Sequence, residues 1–571
     1  MTSVHLESES MGSAAPPEGP QPGSDVGVPD ADGAHRTSWR EMGFVTAGLV
    51  ALGAAVFGRH VLHRGFFYDD WANLALTRWP KTGSGFFSAV HDAFNTFGYR
   101  PALTVYLPGL YTVFDDRMAL HLAWIVLLAV GLSTAFYVLL RELAFPRFEA
   151  GALAALLLVF PYSDSTRLWV TAGTGSLTTL FFVIGVTVSL RAFDEQERRR
   201  SLRMHLLGVA FYLLSMLFAE VASVAIPAVF LLYAYRAGWR RALPRSLVDT
   251  VVIAVPAYYI ASNSKIPQAA SGLSTRISRI HTLADQSLTL ATRSLDPWLR
   301  LDRNLILWLG LLVSVASTAY ALRGPDPAVR RELRRWLLAL PAALVSLAAA
   351  YAIYIPADPY YVPLQPGVGN RVNVLAALGL VILVAAVIAL ASTLLTAPVP
   401  TGSRRLAATC LAGIAFLAIG SHYVRTVRAD AAQYDRAFNA EQSILTLLRT
   451  QLPRPAHSST LYVIGHPIFE APGVPVFAAS WDFNGAVEYI YRDPSLVGLP
   501  ILPGVRFECT ATHVYPSGGG YAPGNGARYG LAYLLEVQTQ RVFPLRDRKA
   551  CAAAAATAVA GPYQAEAAPA P

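Results

Sequence analysis

Two adjacent carboxylates stand among aromatic residues in the stretch Phe66-Phe67-Tyr68-Asp69-Asp70-Trp71. One of them, Asp69 or Asp70, can take a proton from an acceptor hydroxyl while the other orients it. The pair can also help to hold a divalent cation, Mg²⁺ or Mn²⁺, through hard oxygen ligands. An N-cap and a first-turn acid on a short helix that runs to residue 78 would explain the same two residues. The pair alone leaves both interpretations open.

Two arginines are candidates for binding a donor phosphate. Arg371 closes a loop that starts at Asp358, is rich in Tyr, Pro and Gly, and comes directly before an apolar segment. Its guanidinium is therefore expected at a membrane surface, where it can pair with a phosphate. A snorkelling anchor at a helix end is the simpler explanation, but Tyr360 and Tyr361 suggest a shaped loop over a cavity and favour the functional one. Arg100 is the second candidate.

Four more polar residues lie at the ends of apolar segments: His121, Asp164, Arg167 and Glu220. Ionisable groups near lipid are costly and are functional candidates by default. Simpler interpretations exist for each of them. His121 fits a packed polar residue, Asp164 and Arg167 can contact a sugar or pair with each other, and Glu220 fits a solvated carboxylate at a helix hairpin.

The composition indicates that these residues are positioned by a membrane domain. The chain has 571 residues, 54% of them hydrophobic and 15% charged, which is more apolar surface than a soluble domain can bury. The net charge of +9 does not indicate a nucleic-acid binder, because the basic residues form short runs between apolar segments. Eleven segments are candidates to span the membrane: 42–58, 118–140, 143–162, 177–190, 204–219, 221–235, 247–262, 305–322, 336–355, 374–395 and 406–420.

The arginine-rich loops predict the orientation, because basic loops stay in the cytoplasm. Residues 1–40 are then a disordered cytoplasmic tail, and residues 41–421 form the transmembrane domain of a plasma-membrane protein. Arginines flank both ends of 204–235, so the chain is expected to turn near Glu220. The predicted external regions are 61–117, 163–176, 263–303, 356–373 and everything after 421. The loop 263–303 is basic although external, which indicates either an anionic lipid or phosphate site or a misassigned span.

The region 422–551 has strand-like runs between turn-rich Gly and Pro stretches instead of long apolar segments, and it is predicted to be a small external α/β domain. Strands are expected at 460–464, 505–514 and 531–542, and a helix at 485–491, with an unstructured tail at 552–571. An oxidising compartment permits a Cys509–Cys551 disulfide, which the sequence alone does not establish. Four side chains of this domain can bind carbohydrate or form its core, and the core is preferred: Trp481, Asp482, Tyr489 and Tyr491.

The order of these features resembles the GT-C superfamily of integral membrane glycosyltransferases. That class includes protein O-mannosyltransferases, aminoarabinose transferases and actinobacterial cell-envelope glycosyltransferases. The matching features are an acidic pair in a large first external loop (61–117), an Arg-Pro ahead of an interfacial helix at 102–114, and His121 at the next span. The number of spans and the external C-terminal domain also match. The resemblance covers roughly residues 42–420, and its motifs are degenerate.

The resemblance implies an inverting transfer from a polyprenyl-phosphate sugar to a glycan, lipid or protein of the cell envelope, without a covalent intermediate. Asp69 is the preferred base and Arg371 the preferred partner of the leaving phosphate. A transporter or flippase of a lipid-linked saccharide is one alternative, which would place ionisable residues near the bilayer midplane. A non-catalytic scaffold that tolerates loss of the acidic pair is another. Neither a Walker loop, a Rossmann glycine turn nor a zinc spacing is found in the sequence.

Overall fold

The described part of the chain contains ten helices that are long and apolar enough to cross a membrane, so this is a multi-pass membrane protein. The computed structural model describes residues 37–264, 272–296, 301–503, 505–517 and 526–557. The helices are α1 (Trp39–His63), α2 (Asp69–Arg78), α3 (Phe86–Phe97), α4 (Pro101–Phe114), α5 (Met118–Glu142), α6 (Arg147–Leu158), α7 (Ser165–Leu168), α8 (Gly173–Arg191), α9 (Arg198–Phe218), α10 (Ala225–Ala228), α11 (Phe230–Ala237), α12 (Trp239–Asn263), α13 (Leu273–Leu295), α14 (Arg303–Arg323), α15 (Pro327–Ala352), α16 (Ala376–Thr396), α17 (Thr401–Gln451), α18 (Ser480–Tyr491) and α19 (Arg548–Thr557). The ten candidate spans are α1, α5, α8, α9, the segment Glu220–Ala237 with α10 and α11, α12, α14, α15, α16 and α17.

Of the eleven predicted spans, 143–162 is the one that is not among the ten candidate spans, because its helix α6 has only 12 residues. The chain still crosses the bundle here. Arg147 at the start of α6 pairs with Glu41 at the start of α1, whereas Pro161, just beyond α6, accepts a hydrogen bond from Asn370 at the other end of the bundle. The helix stops before Pro161 because the residue ahead of a proline disfavours helical geometry. Within the described residues, α6 thus adds one short crossing to the ten candidate spans, in agreement with the eleven that the sequence predicts.

Ion pairs define one face of the bundle, which we call the basic face. Asp194, in the loop before α9, pairs with Arg236 at the end of α11. Both ends of the α9–α11 stretch therefore lie on the basic face, and the predicted turn near Glu220 is confirmed. The other pairs of this face are Glu41–Arg141, Glu142–Arg191, Glu149–Arg335 and Asp326–Arg404.

The opposite face, which we call the site face, carries α2, α3, α4, α13 and a 3₁₀ helix at Gly367–Asn373. The short apolar helix α4 matches the predicted interfacial helix. The basic loop 263–303 contains α13, which is not among the candidate spans, so no span is misassigned there. Lys265 and Arg300 of this loop lie outside the described residues.

The C-terminal region is an α/β domain built on a four-stranded sheet in the order β4-β1-β8-β9. Strand β1 is parallel to β4 and β8, and β9 is antiparallel to β8. The strands are β1 (Thr460–Ile464), β2 (Phe469–Ala471), β3 (Val474–Pro475), β4 (Val497–Pro500), β5 (Arg506–Cys509), β6 (His513–Ser517), β7 (Ala527–Arg528), β8 (Ala532–Glu536) and β9 (Arg541–Pro544). The strand predicted at 460–464 is confirmed, whereas those predicted at 505–514 and 531–542 each divide into two antiparallel strands.

Several predicted boundaries change. Helix α17 continues unbroken from Thr401 to Gln451, so the predicted domain boundary at 421 falls inside it. Helix α18 begins at Ser480 rather than at residue 485, and α19 extends through part of the predicted tail 552–571. Cys509 and Cys551 form a disulfide with a Cα–Cα distance of 5.9 Å. Residues 1–36 and 558–571 lie outside the described residues.

Candidate active site

The acidic pair forms the first turn of α2, on the site face directly after α1. Phe66 and Phe67 are buried against the bundle and fix where the chain leaves α1. Tyr68 then takes a positive φ of 55°, which is unfavourable for a residue with a side chain and persists only where the surroundings hold it. Its ring packs edge-on against Trp169 and Trp481, with centroids 5.6 and 5.9 Å away. This bend presents Asp69 and Asp70 side by side at the head of α2.

Asp70 is fully buried and is held by groups outside its own helix. Its Oδ1 accepts hydrogen bonds from the Thr171 amide at 2.9 Å, the Thr171 hydroxyl at 2.7 Å and the Tyr111 hydroxyl at 3.2 Å. Its Oδ2 is buried without a partner. Burial raises the pKa of Asp70 to about 7, despite the lowering effect of the Thr171 hydrogen bonds. This carboxyl is therefore anchored away from solvent, and a direct role for it in catalysis stays a prediction.

Asp69 is half-buried and faces the groups expected of a reaction site. Its Oδ1 accepts a hydrogen bond of 2.7 Å from the indole N–H of Trp481, and its second oxygen has no hydrogen-bond partner among the described residues. Burial raises the pKa of Asp69, and the hydrogen bond from Trp481 and the charge of Arg371 offset the rise only in part. The N-cap of α2 is Tyr68, so the capping part of the simpler interpretation is wrong, whereas both acids do lie in the first turn of the helix, as that interpretation expects.

Arg371 lies in the 3₁₀ helix Gly367–Asn373 and within electrostatic range of Asp69. Its Nη1 donates to the Val368 carbonyl at 2.6 Å, and its guanidinium stands 5.3 Å from the ring centroid of Trp169. No carboxylate of the described chain forms a salt bridge with it. The remaining N–H groups of Arg371 are thus free to bind an anionic ligand.

Helix α13 holds the loop that leads to Arg371. The Arg279 guanidinium donates to the backbone carbonyls of Tyr354, Asp358, Pro359 and Tyr361 at 2.6 to 3.4 Å. From the same helix, Gln286 accepts the Leu364 amide at 3.1 Å. The basic residues of the 263–303 region therefore include a structural clamp, which sequence patterns alone do not reveal.

Arg100 and Glu220 form a bidentate ion pair, with distances of 2.9 Å for Nε–Oε2 and 2.5 Å for Nη2–Oε1. Tyr99 packs on the guanidinium with 5.1 Å between Cζ and the ring centroid. Since Glu220 neutralises it, Arg100 is not a free phosphate ligand as the sequence suggested. Glu220 is explained at the same time: the carboxylate at the predicted turn is the partner of Arg100.

The other predicted candidates do not reach Asp69 directly. His121 is buried, bonds the Asp115 carbonyl at 2.9 Å and packs on Tyr111 and Phe66, which fits the packed polar residue. Asp164 and Arg167 lie within electrostatic range of each other, but no hydrogen bond joins them in the part of the chain that is described. Among the described residues Asp164 accepts from Asn370 at 2.7 Å, while Arg167 donates to the Phe160 carbonyl at 2.5 Å.

The C-terminal domain completes the site, which the sequence did not predict. Trp481 on α18 is 50% exposed, so its expected place in the core is wrong. Asp482 is buried and accepts the Ala479 amide at the start of α18. Tyr489 donates to Asp116 and Tyr491 to the Leu452 carbonyl. Of the four residues, only Trp481 contacts the acidic pair.

Two close approaches between backbones fix this docking. A Cβ at Gly485 of α18 would stand 2.5 Å from the Trp71 carbonyl oxygen of α2, so only glycine allows the helices to pack this closely. Gly367, with φ of +58°, meets Gly473 in the turn between β2 and β3, where Val368 donates to the Gly473 carbonyl at 2.8 Å. The domain thus touches both the helix of Asp69 and the loop of Arg371.

The acidic pair does not form a ready metal site. Oδ1 of Asp70 already accepts three donors and Oδ1 of Asp69 accepts Trp481. Within the described ranges, no group of three or more His, Cys, Asp or Glu side chains is placed to hold a metal ion. A cation shared by Asp69 and Asp70 would have to use the second oxygen of each carboxylate, and a dependence on Mg²⁺ or Mn²⁺ stays a prediction.

The fold and the site are those of a multi-pass membrane protein with a polar site at one membrane face. A small α/β domain packs over this site. No family model and no curated protein matches the chain. Among solved structures, the crystal structure of ArnT from Cupriavidus metallidurans bound to undecaprenyl phosphate is similar to this chain, with 15% identity and a TM-score of 0.33. The match covers 80% of this chain and 86% of that one. The likeness concerns the general arrangement alone, and no residue role is transferred from ArnT.

Proposed function

We propose that this chain is a membrane glycosyltransferase that moves a sugar from a polyprenyl-phosphate-linked donor to a hydroxyl of a cell-envelope glycan, lipid or protein. The observation that carries the proposal is the convergence of Asp69 and Arg371 at one membrane face. One is a carboxylate with a free oxygen, and the other is a guanidinium without a carboxylate partner. A lipid phosphate at the membrane surface would place its anionic head group at Arg371 and its sugar towards Asp69.

In this proposal Asp69 is the general base. Its free oxygen accepts the proton of the acceptor hydroxyl as the hydroxyl oxygen attacks the anomeric carbon. The bond from that carbon to the phosphate oxygen breaks, and the polyprenyl phosphate leaves with the electron pair, which inverts the anomeric centre. The raised pKa of Asp69 makes it a stronger base than an exposed aspartate, and Trp481 orients it.

Arg371 stabilises the leaving group. The donor phosphodiester carries one negative charge, and the released phosphate monoester gains a second as the bond breaks, so contacts with a guanidinium strengthen along the reaction. Arg100 has a positioning role, because its charge is used by Glu220. Tyr354 lies within electrostatic range of both Arg100 and Arg371, so the ion pair is near the loop that carries Arg371.

The test is transfer of radiolabelled sugar by the purified full-length protein from a panel of polyprenyl-phosphate sugars. Asp69→Asn should lower transfer by about 10²- to 10⁴-fold, whereas Asp285→Asn, a change in an exposed acid of α13, should retain it. Unchanged transfer in Asp69→Asn would remove that residue as the base. Absence of transfer from every donor in the panel would reject the transferase.

We also propose that the basic face is cytoplasmic and that the site lies outside, because arginine-rich loops remain inside. In a Cys410→Ala background, a cysteine introduced by Ser84→Cys between α2 and α3 should react with an impermeant maleimide on intact cells. A cysteine introduced by Arg405→Cys on the basic face should react only after permeabilisation. The reverse pattern would invert the orientation.

A buried pair inside the bundle is the feature closest to what the transporter alternative requires. His205 and Asp249 lie 3.2 Å apart, both almost fully buried, between α9 and α12. Asp249 also accepts the Tyr233 hydroxyl at 2.8 Å. Both ring nitrogens of His205 and Oδ1 of Asp249 nevertheless lack a hydrogen-bond partner within the described part of the chain. Transfer chemistry at Asp69 is the preferred function, because a carboxylate and a guanidinium without a salt bridge among the described residues lie within electrostatic range of each other there.

A further inference from the structure

A second cavity, of about 290 Å³, opens on the site face and is separate from the Asp69 centre. Its walls come from the 161–164 turn, the loop 363–373 and the part of α17 between residues 426 and 434. Neither Asp69 nor Arg371 lines it. Its volume is close to the lower end of small-molecule pockets, about 300 Å³, and is far more than a single ion needs.

The floor of this cavity contains two neighbouring acids, Asp164 and Asp430. Asp164 is 1% exposed, its Oδ1 accepts the Asn370 amide, and its carboxyl forms a hydrogen bond with Asp430. The group next to it is the carboxylate of Asp430 on α17, and burial together with that charge raises the pKa of Asp164 well above its usual range. The two acids therefore share a proton, and the pair keeps one negative charge at the wall of the cavity. The acceptor positions that Asp430 presents to the cavity suit a ligand that donates hydrogen bonds.

The rest of the lining narrows the chemistry of that ligand. Gln433 supplies an amide beside Asp430, and Arg293 supplies an exposed guanidinium at the edge. Tyr162 and Tyr434 add aromatic rings, and prolines of the 363–366 loop add apolar surface. Carboxylates and amides suit the hydroxyl groups of a sugar, and rings and prolines suit its C–H faces. A neutral, hydroxyl-rich ligand fits this combination better than an anion, which the negative charge of the acid pair would repel.

We propose that this cavity is a saccharide-binding subsite that holds a sugar unit of the acceptor glycan at a distance from the unit that is modified. The glycan identity of the acceptor rests on the proposed function, whereas saccharide binding by the cavity does not. The loop 363–373 forms a wall of the cavity and also carries Arg371. A saccharide bound in the subsite would therefore contact the same loop that positions Arg371 for the donor phosphate.

The experiment measures binding separately from transfer. The full-length protein in nanodiscs is applied to an array of neutral oligosaccharides of hexose and pentose units, and the dissociation constant is measured for the strongest binder. Asp430→Asn and Gln433→Ala should each raise that constant about tenfold or more, as expected for losing a hydrogen bond to a charged or polar group. Gln451→Ala, at the exposed end of the same helix, should leave it unchanged, and Asp69→Asn should retain binding while transfer falls.

Three results would overturn the subsite. The first is that the wild-type protein binds no oligosaccharide of the array. The second is a dissociation constant within twofold of wild type in both Asp430→Asn and Gln433→Ala. The third is a stoichiometric Mn²⁺ site, detected by electron paramagnetic resonance, that disappears in Asp430→Asn while saccharide binding persists. Normal transfer in Asp69→Asn would instead refute the proposed base and leave the binding result standing.

Discussion

Arg371 offers the sharpest test of the site, through the pair of variants Arg371→Ala and Arg371→Lys. Its Nη1 is used by the Val368 carbonyl, which leaves a side of the guanidinium free for two parallel hydrogen bonds to a phosphate. Hydrogen bonds to charged groups contribute about 1.5–3 kcal/mol each, so alanine should cost roughly 3–6 kcal/mol. At 1.36 kcal/mol for each factor of ten, kcat/KM for the donor should fall on the order of 10²- to 10⁴-fold.

Lysine separates charge from geometry. It retains a positive charge but lacks the planar fork, so it cannot reproduce bidentate contact with a phosphate. Arg371→Lys should therefore recover part of the loss and lie between wild type and alanine. Because the phosphate gains charge as the bond breaks, kcat should fall by more than KM rises.

The assay is steady-state transfer from a purified donor, with each variant checked for thermal unfolding in the same detergent. Arg276→Ala, which removes an exposed arginine of α13, is the control for a general loss of positive charge. A kcat/KM for Arg371→Ala within threefold of wild type would refute the phosphate role and support a snorkelling anchor. Equal losses in the lysine and alanine variants would refute the charge argument.

Three further outcomes are expected. Trp481→Phe removes the N–H that stabilises ionised Asp69, so the pKa of Asp69 should rise. The acid limb of the pH profile of kcat/KM should then move to higher pH. If the limb does not move, the hydrogen bond from Trp481 to Asp69 does not set this pKa. Burial raises the pKa of Asp70 to about 7, so the native state holds this proton more tightly than the unfolded state and stability falls as pH rises from about 4 to 7. In Asp70→Asn the melting temperature should change less between about pH 4 and 7 than it does in wild type. An equally steep dependence on pH would show that other groups cause the loss of stability. Gly485→Ala places a methyl group 2.5 Å from the Trp71 carbonyl and should cost about 1–3 kcal/mol of stability with lower transfer, whereas Gly402→Ala, with nothing within 4 Å, should match wild type.

Features that depend on neighbouring residues could be predicted from the sequence. The apolar segments, the turn near Glu220 and the interfacial helix α4 all follow from local hydropathy and from the placement of arginines. The strand at 460–464 follows from its β-branched and aromatic residues. The splitting of 505–514 and 531–542 was missed because their turns, Thr510–Ala511–Thr512 and 537–540, contain no glycine or proline to signal them.

Features that depend on distant pairs could not be predicted. Asp69 and Trp481 are 412 positions apart, and Arg100 and Glu220 are 120 apart. The sequence identified Arg100 as a cation and Glu220 as a costly acid, but only the fold shows that they neutralise each other. The unpaired state of Arg371 is likewise a property of the assembled loop, because it depends on which carboxylates come near.

The position of the C-terminal domain bears directly on how the site is built. A separate acceptor-binding module would touch the bundle through its linker, yet here α18 supplies the hydrogen bond on Asp69 and the Gly473 turn meets Gly367 next to Arg371. Helix α17 reaches both parts without a break, and its Glu441 accepts the indole N–H of Trp71 in α2. A displacement of the domain would therefore disturb the base and the loop of the phosphate ligand together.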